Sequence, residues 1–414
     1  MQTPSPVFQR TRAARGTFLT LVALLGVAAC GEKPPAPTAT IVENPSREGS
    51  AQPSLALGRD GRVWLSWLES QGDGNVAMNV AARANGQWGA VHQVVQGSDL
   101  LVNWADIPRT AEMANGAVVA GWLRGSSVKA GYDLMLSMST DAGATWSAAQ
   151  PAHHDGIAAE HGFVSFFAQG DGLGLIWLDG RNYALADSST HQTQLMYGTI
   201  DAHGTVAREF AIDERICDCC QTAAATAANG TAIVAYRDRS EGEVRDIYVK
   251  RIAGNVVNAG VPVHKDNWVI KGCPVNGPSI AAQGATVALA WFTAPNDTPH
   301  VRLAFSQDTG KTFGAPVEVH DRRPEGRVSV GLTPVGDALV GWIEVLGDTS
   351  VLRLRRVSPT GVKGPATDLA QLTGGKRASG FARIVVTGDT ALIAWADPLS
   401  RRVKTAAIPV GAAK

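Results

Sequence analysis

The sequence predicts an all-β chain folded as a seven-bladed β-propeller, and three observations carry that reading. An apolar run ending in an aromatic recurs seven times, a Gly-containing turn precedes most copies, and no long amphipathic helical pattern competes. The aromatics stand at positions 67, 122, 177, 236, 291, 342 and 395, spaced by 55, 55, 59, 55, 51 and 53 residues. Short strands and turns at that period read as propeller blades.

Taken in order, blade 1 carries Arg62-Val63-Trp64-Leu65-Ser66-Trp67, blade 2 Val118-Val119-Ala120-Gly121-Trp122 and blade 3 Gly174-Leu175-Ile176-Trp177. Blade 4 has Ala232-Ile233-Val234-Ala235-Tyr236, and blade 5 has Val287-Ala288-Leu289-Ala290-Trp291. Blades 6 and 7 end in Ala338-Leu339-Val340-Gly341-Trp342 and Ala391-Leu392-Ile393-Ala394-Trp395. The preceding turns, Asp60-Gly61, Asn115-Gly116, Asp171-Gly172, Asn229-Gly230, Gly336-Asp337 and Gly388-Asp389, supply the positive φ that hairpins need. The last unit stops soon after Val403-Lys404-Thr405-Ala406-Ala407-Ile408 and has room for three strands. Thr38-Ala39-Thr40-Ile41-Val42 has no local partner, so it is expected to complete blade 7 and close the ring.

Ahead of that strand the chain reads as an address. Arg10, Arg12 and Arg15 precede 14 mostly apolar residues, Gly16 to Ala29, too short and wrongly flanked for a spanning helix. Val27-Ala28-Ala29-Cys30 resembles the lipobox of bacterial lipoproteins, which implies cleavage before Cys30 and lipidation of its thiol. Residues 1–29 are thus expected to be a signal peptide, 30–37 a lipidated Cys with a Pro-rich tether, and 38–414 one propeller domain. The implied location is exported, anchored to a bacterial membrane and facing the periplasm or the cell surface.

Charge narrows the function classes. Lys+Arg and Asp+Glu are both 37; removing 1–29 takes away three Arg, leaving 34 basic against 37 acidic residues, net −3. That is no footprint for nucleic acid, so a small-molecule, glycan or protein ligand is expected, with the lipid anchor as the one membrane contact.

A second motif carries a family resemblance. Ser139-Thr140-Asp141-Ala142-Gly143-Ala144-Thr145-Trp146 and Ser306-Gln307-Asp308-Thr309-Gly310-Lys311-Thr312-Phe313 share the form S-x-D-x-G-x-T-aromatic, with degenerate copies at Asn85-Gly86-Gln87-Trp88 and Asp201-Ala202-His203-Gly204-Thr205. This resembles the Asp-box, or BNR repeat, of the sialidase-like propellers, whose six blades are the alternative ring size here. In sialidases three Arg hold the substrate carboxylate, a Tyr paired with a Glu is the nucleophile and an Asp is the acid/base. The Arg-Ile-Pro signature of that family is absent; Ile107-Pro108-Arg109 has a different order. The five Tyr, at 132, 183, 197, 236 and 248, leave none late in the chain for a nucleophile. A binding protein is therefore the leading expectation, with a sialidase-type hydrolase or an interaction scaffold as alternatives.

The unusual residues gather at one mouth. In a propeller the entry to each innermost strand and the loop between second and third strands share one end, opposite the Asp-boxes. Those segments bring Trp104, Asp106, His161 and Asn276 together with Asp179, Arg181 and Tyr183. They also bring Arg237, Asp238, Arg239, Glu241 and Arg245, where Asp238 and Glu241 are expected to orient the Arg for an anionic ligand. Of the blade-entry Trp residues, Trp104 and Trp268 are placed to meet ligand. Cys217, Cys219, Cys220 and Cys273 are expected beside them, as two disulfides, a soft metal site for copper or zinc, or a redox-active dithiol. Read as a strand, Cys217 and Cys219 face one way and Cys220 the other, and His161 is the nitrogen ligand nearest to hand. Neighbouring His153-His154-Asp155 could ligate a metal, but adjacent His on an exposed loop read first as incidental.

Overall fold

A computed structural model of the chain describes residues 1–3, 33–126, 131–187, 189, 191–372 and 380–411. Seven antiparallel sheets succeed one another along it; the first six have their strands in chain order from the axis outward, and the seventh adds the chain's first strand at its outer edge. The innermost strands are Ser50–Leu57, Arg109–Glu112, His161–Gln169, Ala223–Thr226, Ser279–Gln283, Pro324–Leu332 and Arg383–Thr387. The protein is a seven-bladed β-propeller. Blades 1 and 4 divide their outer edge between two short strands, Gln87–Trp88 with His92–Gly97 and Val256–Val257 with Val261–Pro262.

Closure follows the expected route. Thr40–Val42 pairs antiparallel with the last strand, Arg402–Pro409, in the register Thr40 to Ala407 and Val42 to Thr405. Further bonds reinforce it: Asn44 donates to the Val403 carbonyl at 3.0 Å, Arg402 to the Asn44 carbonyl at 2.7 Å, and Thr405 Oγ1 to the Val42 carbonyl at 2.6 Å. The Pro-rich stretch departs from a free spacer. Pro34 and Pro37 are buried, and the Pro34 carbonyl lies where a Cβ on Gly364 of blade 6 would stand, 2.4 Å from it. Cys30 and residues 4–32 lie outside the described residues, and no helix among the described residues is long and apolar enough to cross a membrane.

Each blade is apolar on both faces because a neighbouring blade covers each side, so its second strand reads as a continuous apolar run. Trp67, Trp177, Trp291 and Trp342 are fully buried, and Trp122, Tyr236 and Trp395 nearly so. Period two puts an acid on the same face two residues later. Glu69, Asp179 and Glu344 accordingly accept the indole N–H of Trp67, Trp177 and Trp342. Five of the six expected turn glycines lie at positive φ; in blade 3 Gly170, rather than Gly172, takes that conformation.

Candidate functional site

Entry segments and second-to-third-strand loops do share one end, since His161, first in its strand, pairs with Asp179, last in the next. Four arrangements occupy that mouth.

The first is the thiol loop. Cys217 follows the outer strand of blade 3 and hydrogen-bonds through its amide to the Arg237 carbonyl at 3.0 Å; the chain then turns before entering blade 4. Because 217–220 is a turn and not a strand, the expected split of faces is corrected: all three sulfurs converge. Cys217 Sγ lies 3.2 Å from Cys220 Sγ and 3.8 Å from Cys219 Sγ, and the three fall within 4.8 Å of one another. Cys273 stands beside them with Asp218 and Cys219, and all four thiols are unbridged. Hydrogen bonding with Cys219 and Cys220 holds Cys217 well below the usual thiol range, while burial pushes Cys220 up to about 12. Arg245, buried, donates to Cys217 Sγ at 3.3 Å and pairs with Glu243 at 2.9 Å.

Flanking that loop, the blade 4 arginines are committed elsewhere. Arg237 is 1% exposed and donates to the carbonyls of Asn276, Arg245 and Phe292, with its guanidinium 4.9 Å above the Trp268 ring. It ties blades 4 and 5 together and presents no open donor to a ligand. Trp268 is buried beneath it. Arg239 is held bidentate by Glu243, the part expected of Glu241, which is exposed. Burial, with Asp213 nearby, raises the Asp238 carboxyl to about 6.

Asp106 and Asn276 also prove to be joints between blades. The inner strands of blades 3 and 6 begin with a bulge at Phe163 and Arg327, both at positive φ. Asp106 Oδ2 accepts the Phe163 amide at 2.5 Å, and Asn276 Oδ1 accepts the Arg327 amide at 2.7 Å. One entry segment thus bolts the next blade's bulge, and Gln221 does the same for Gly277 at 3.0 Å. Burial, opposed by the Phe163 amide bond, pushes Asp106 up to about 7.

A third arrangement lies on the axis, and sequence reasoning missed it. Arg109 and Arg383 line a central cavity of about 320 Å³, each at the mouth end of its innermost strand. Arg327 stands 4.9 Å over the Trp104 ring, which stacks on Phe381, and Arg383 lies 5.6 Å from the Phe381 ring. Arg383 is buried, yet its Nε and Nη2 make no hydrogen bond. Three arginines scattered over 275 residues of chain carry no local signal; only the blade count brings them together.

The fourth spans blades 2 and 3. Arg181 grips Asp179 through two bonds of 2.8 and 2.7 Å and reaches Glu209 at 2.5 Å. Asp179 faces His161 at 3.7 Å. Contrary to the incidental reading, His153 is buried, and its ring stacks on that of His161 with centroids 3.7 Å apart. Tyr183, half-exposed, lines an adjoining pocket of about 380 Å³ with Tyr132, Glu160 and Asp218.

No family model matches the chain, and no curated protein matches it in sequence. Solved structures do resemble it. The polysaccharide lyase Uly1 superposes with a TM-score of 0.51 at 9% identity, over 87% of this chain and 90% of that one. A Hadza microbial sialidase, Hz136, gives 0.49 at 16% identity over 80% and 73%. The intramolecular trans-sialidase of Ruminococcus gnavus gives 0.47 at 12% over 89% and 95%. At these identities the likeness is one of fold alone, the β-propeller.

Proposed function

We propose that the chain is an exported binding propeller, lipid-anchored through Cys30, that holds a thiophilic metal ion, Cu(I) or Zn(II), at its mouth. The observation that carries this reading is the convergence of the Cys217, Cys219 and Cys220 sulfurs, two of them buried, within 4.8 Å. Metal–sulfur bonds of about 2.3 Å at a tetrahedral angle set sulfurs about 3.8 Å apart, close to the Cys217–Cys219 separation. Soft thiolates select soft or borderline cations. Arg245 beside Cys217 offsets part of the thiolate charge, and Asp218 with Cys273 offers outer donors.

The test is bound-metal and free-thiol content of the full chain, purified without chelator. One equivalent of copper or zinc, lost in Cys217→Ser, is expected. Two disulfides with no metal would replace this reading with that of an inert scaffold.

A second reading rests on Arg383. A buried guanidinium with two unbonded nitrogens, beside Arg109 and Arg327, suits an anionic group on the axis, such as the carboxylate of an acidic sugar. Among the described residues no Tyr lines that cavity, which favours binding over sialidase-type turnover. Titration with N-acetylneuraminic acid should show binding that Arg383→Ala abolishes; equal or absent binding in both proteins would end this reading.

A further inference from the structure

From the course of the N-terminal strap we infer which surface of the propeller meets the membrane: the end opposite the mouth, at the edge of blades 6 and 7, lies against the anchoring bilayer, and the mouth opens away from it into the aqueous compartment. The inference rests on the anchoring through Cys30 proposed above.

The strap can be followed backwards from the strand that closes the ring. The last strand of blade 7, Arg402–Pro409, pairs with Asp397 at the mouth end and with Thr390 at the far end. Val42 lies opposite Thr405 and Thr40 opposite Ala407, so the chain heads for the far end as it approaches its N-terminus. Ala39 packs on the core shared by blades 6 and 7, and Pro37 and Pro34 are buried. The Pro34 carbonyl lies 2.4 Å from where a Cβ on Gly364 would stand. Gly364 is the second residue of the outer strand of blade 6, Lys363–Leu372, and Lys363 pairs with Val357 across the turn between third and fourth strands. That turn is at the end where the Asp-boxes of blades 2 and 5 stand.

Pinning shortens the tether. A step along the chain covers at most about 3.8 Å, so the three steps from Lys33 to Cys30 reach no more than about 11 Å. Were the chain free as far as Thr40, ten steps would allow about 35 Å. An inner strand of nine residues, such as Pro324–Leu332, sets the two ends of a blade about 26 Å apart. A free tether could therefore let the mouth turn to the bilayer, whereas the pinned one is less than half the length that pose needs. Resting on the far end also brings the exposed Lys33 and Lys363 to the headgroups, which suits an anionic leaflet. The thiol loop and the axial arginines then meet ligands delivered from solution, and lipids of the anchoring membrane do not reach them.

Energy transfer from the full chain, exported with its own signal and reconstituted in vesicles of phosphatidylethanolamine and phosphatidylglycerol, tests the orientation. One fluorophore is attached through an azido amino acid, which leaves the four thiols untouched. It replaces Val335, exposed in the far-end turn of blade 6, or Leu399, exposed in the mouth-end loop of blade 7. Both positions lie on the tethered side of the ring, so a ring lying on its side would bring them equally close. With a rhodamine-headgroup lipid as acceptor, the distance of closest approach should be about 25 Å greater from 399 than from 335. Gly364→Ala drives a methyl group into the Pro34 carbonyl and frees the strap, so the protein should stay on the vesicles while that difference shrinks. A mature chain shown by intact mass to carry no lipid would end the anchored reading and the orientation together. A lipidated chain with equal distances at the two positions, or with 399 the nearer, would overturn the orientation alone. An undiminished difference in Gly364→Ala would remove the strap as its cause.

Discussion

The two ends of the propeller manage polar groups in opposite ways. At the far end Ser139, Asp141 and Thr145 satisfy one another within a single turn. Asp141 accepts from the Thr145 amide at 2.8 Å and its hydroxyl at 2.6 Å, and Ser139 Oγ accepts the Gly143 amide at 2.8 Å. Ser306, Asp308 and Thr312 repeat that pattern almost bond for bond. At the mouth, by contrast, partners come from other blades, carboxylates and arginines are buried, and some nitrogens have no partner. A repeat specifies its own turns locally, whereas the mouth is assembled across the ring.

The largest effect that tests this contrast is expected from Arg237→Ala. It removes the Arg237 donors from three carbonyls and opens a void over the Trp268 ring, so stability should fall by about 3 kcal/mol or more in urea unfolding. A fall no greater than that of Asp308→Ala would mean that cross-blade bonds matter no more than local ones.

Next come two aspartates with opposite pH signs. Asp106, raised to about 7, keeps its proton in the folded state while the unfolded chain loses it near 4. Its contribution therefore declines as pH rises from about 4 to 7. Asp106→Asn keeps the acceptor for the Phe163 amide, as Asn276 does in blade 5, and should be about 2–4 kcal/mol more stable than the parent above pH 7, with no gain at pH 4. Burial would raise Asp308, but bonds from Thr312, Ser306 and Lys311 bring it down to about 2. Its contribution is full above about pH 4 and is lost as pH falls through 2, so Asp308→Asn should flatten the acid limb by about 1 kcal/mol after solvent screening. Unfolding midpoints from pH 2 to 9 read both; the same sign at both positions would erase the distinction between the ends.

The smallest effect belongs to Glu241→Ala, expected within about 0.5 kcal/mol, because Glu243 rather than Glu241 holds Arg239 and Arg245. Thermal melts of Glu241→Ala and Glu243→Ala side by side should separate clearly; equal melts would contradict the assignment.

What could be read in advance follows the same division. The blade period, the strand that closes the ring and the Ser-x-Asp turns were legible because each rests on contacts within a blade or on a count of blades. That entry segments and second-to-third-strand loops share one end was legible, but the partners of the residues there were not. Arg237 and Asn276 are chemically suggestive side chains whose partners, the Phe292 carbonyl and the Arg327 amide, come from the neighbouring blade. The convergence of Cys220 with Cys217 depends on a turn that strand periodicity misreads. His153 looked exposed because the residue that buries it, His161, begins a different blade. A sequence pattern that marks His-His-Asp a few residues before a blade-entry His would have been the available signal.

The three-residue strand that completes blade 7 acts as the buckle of a belt. Tension applied at the N-terminus meets the pairing of Thr40–Val42 with Thr405–Ala407 before any other strand pair. Nothing covalent joins that strand to the rest of its own blade except the full circuit of the ring. The buckle is therefore where load concentrates, and a protease cutting just after Val42 would unfasten one blade while the other six keep every strand they have. Mechanical and proteolytic failure should both begin at that seam, far along the chain from the chemistry of the mouth but only one blade away from Arg327 and two from Arg109.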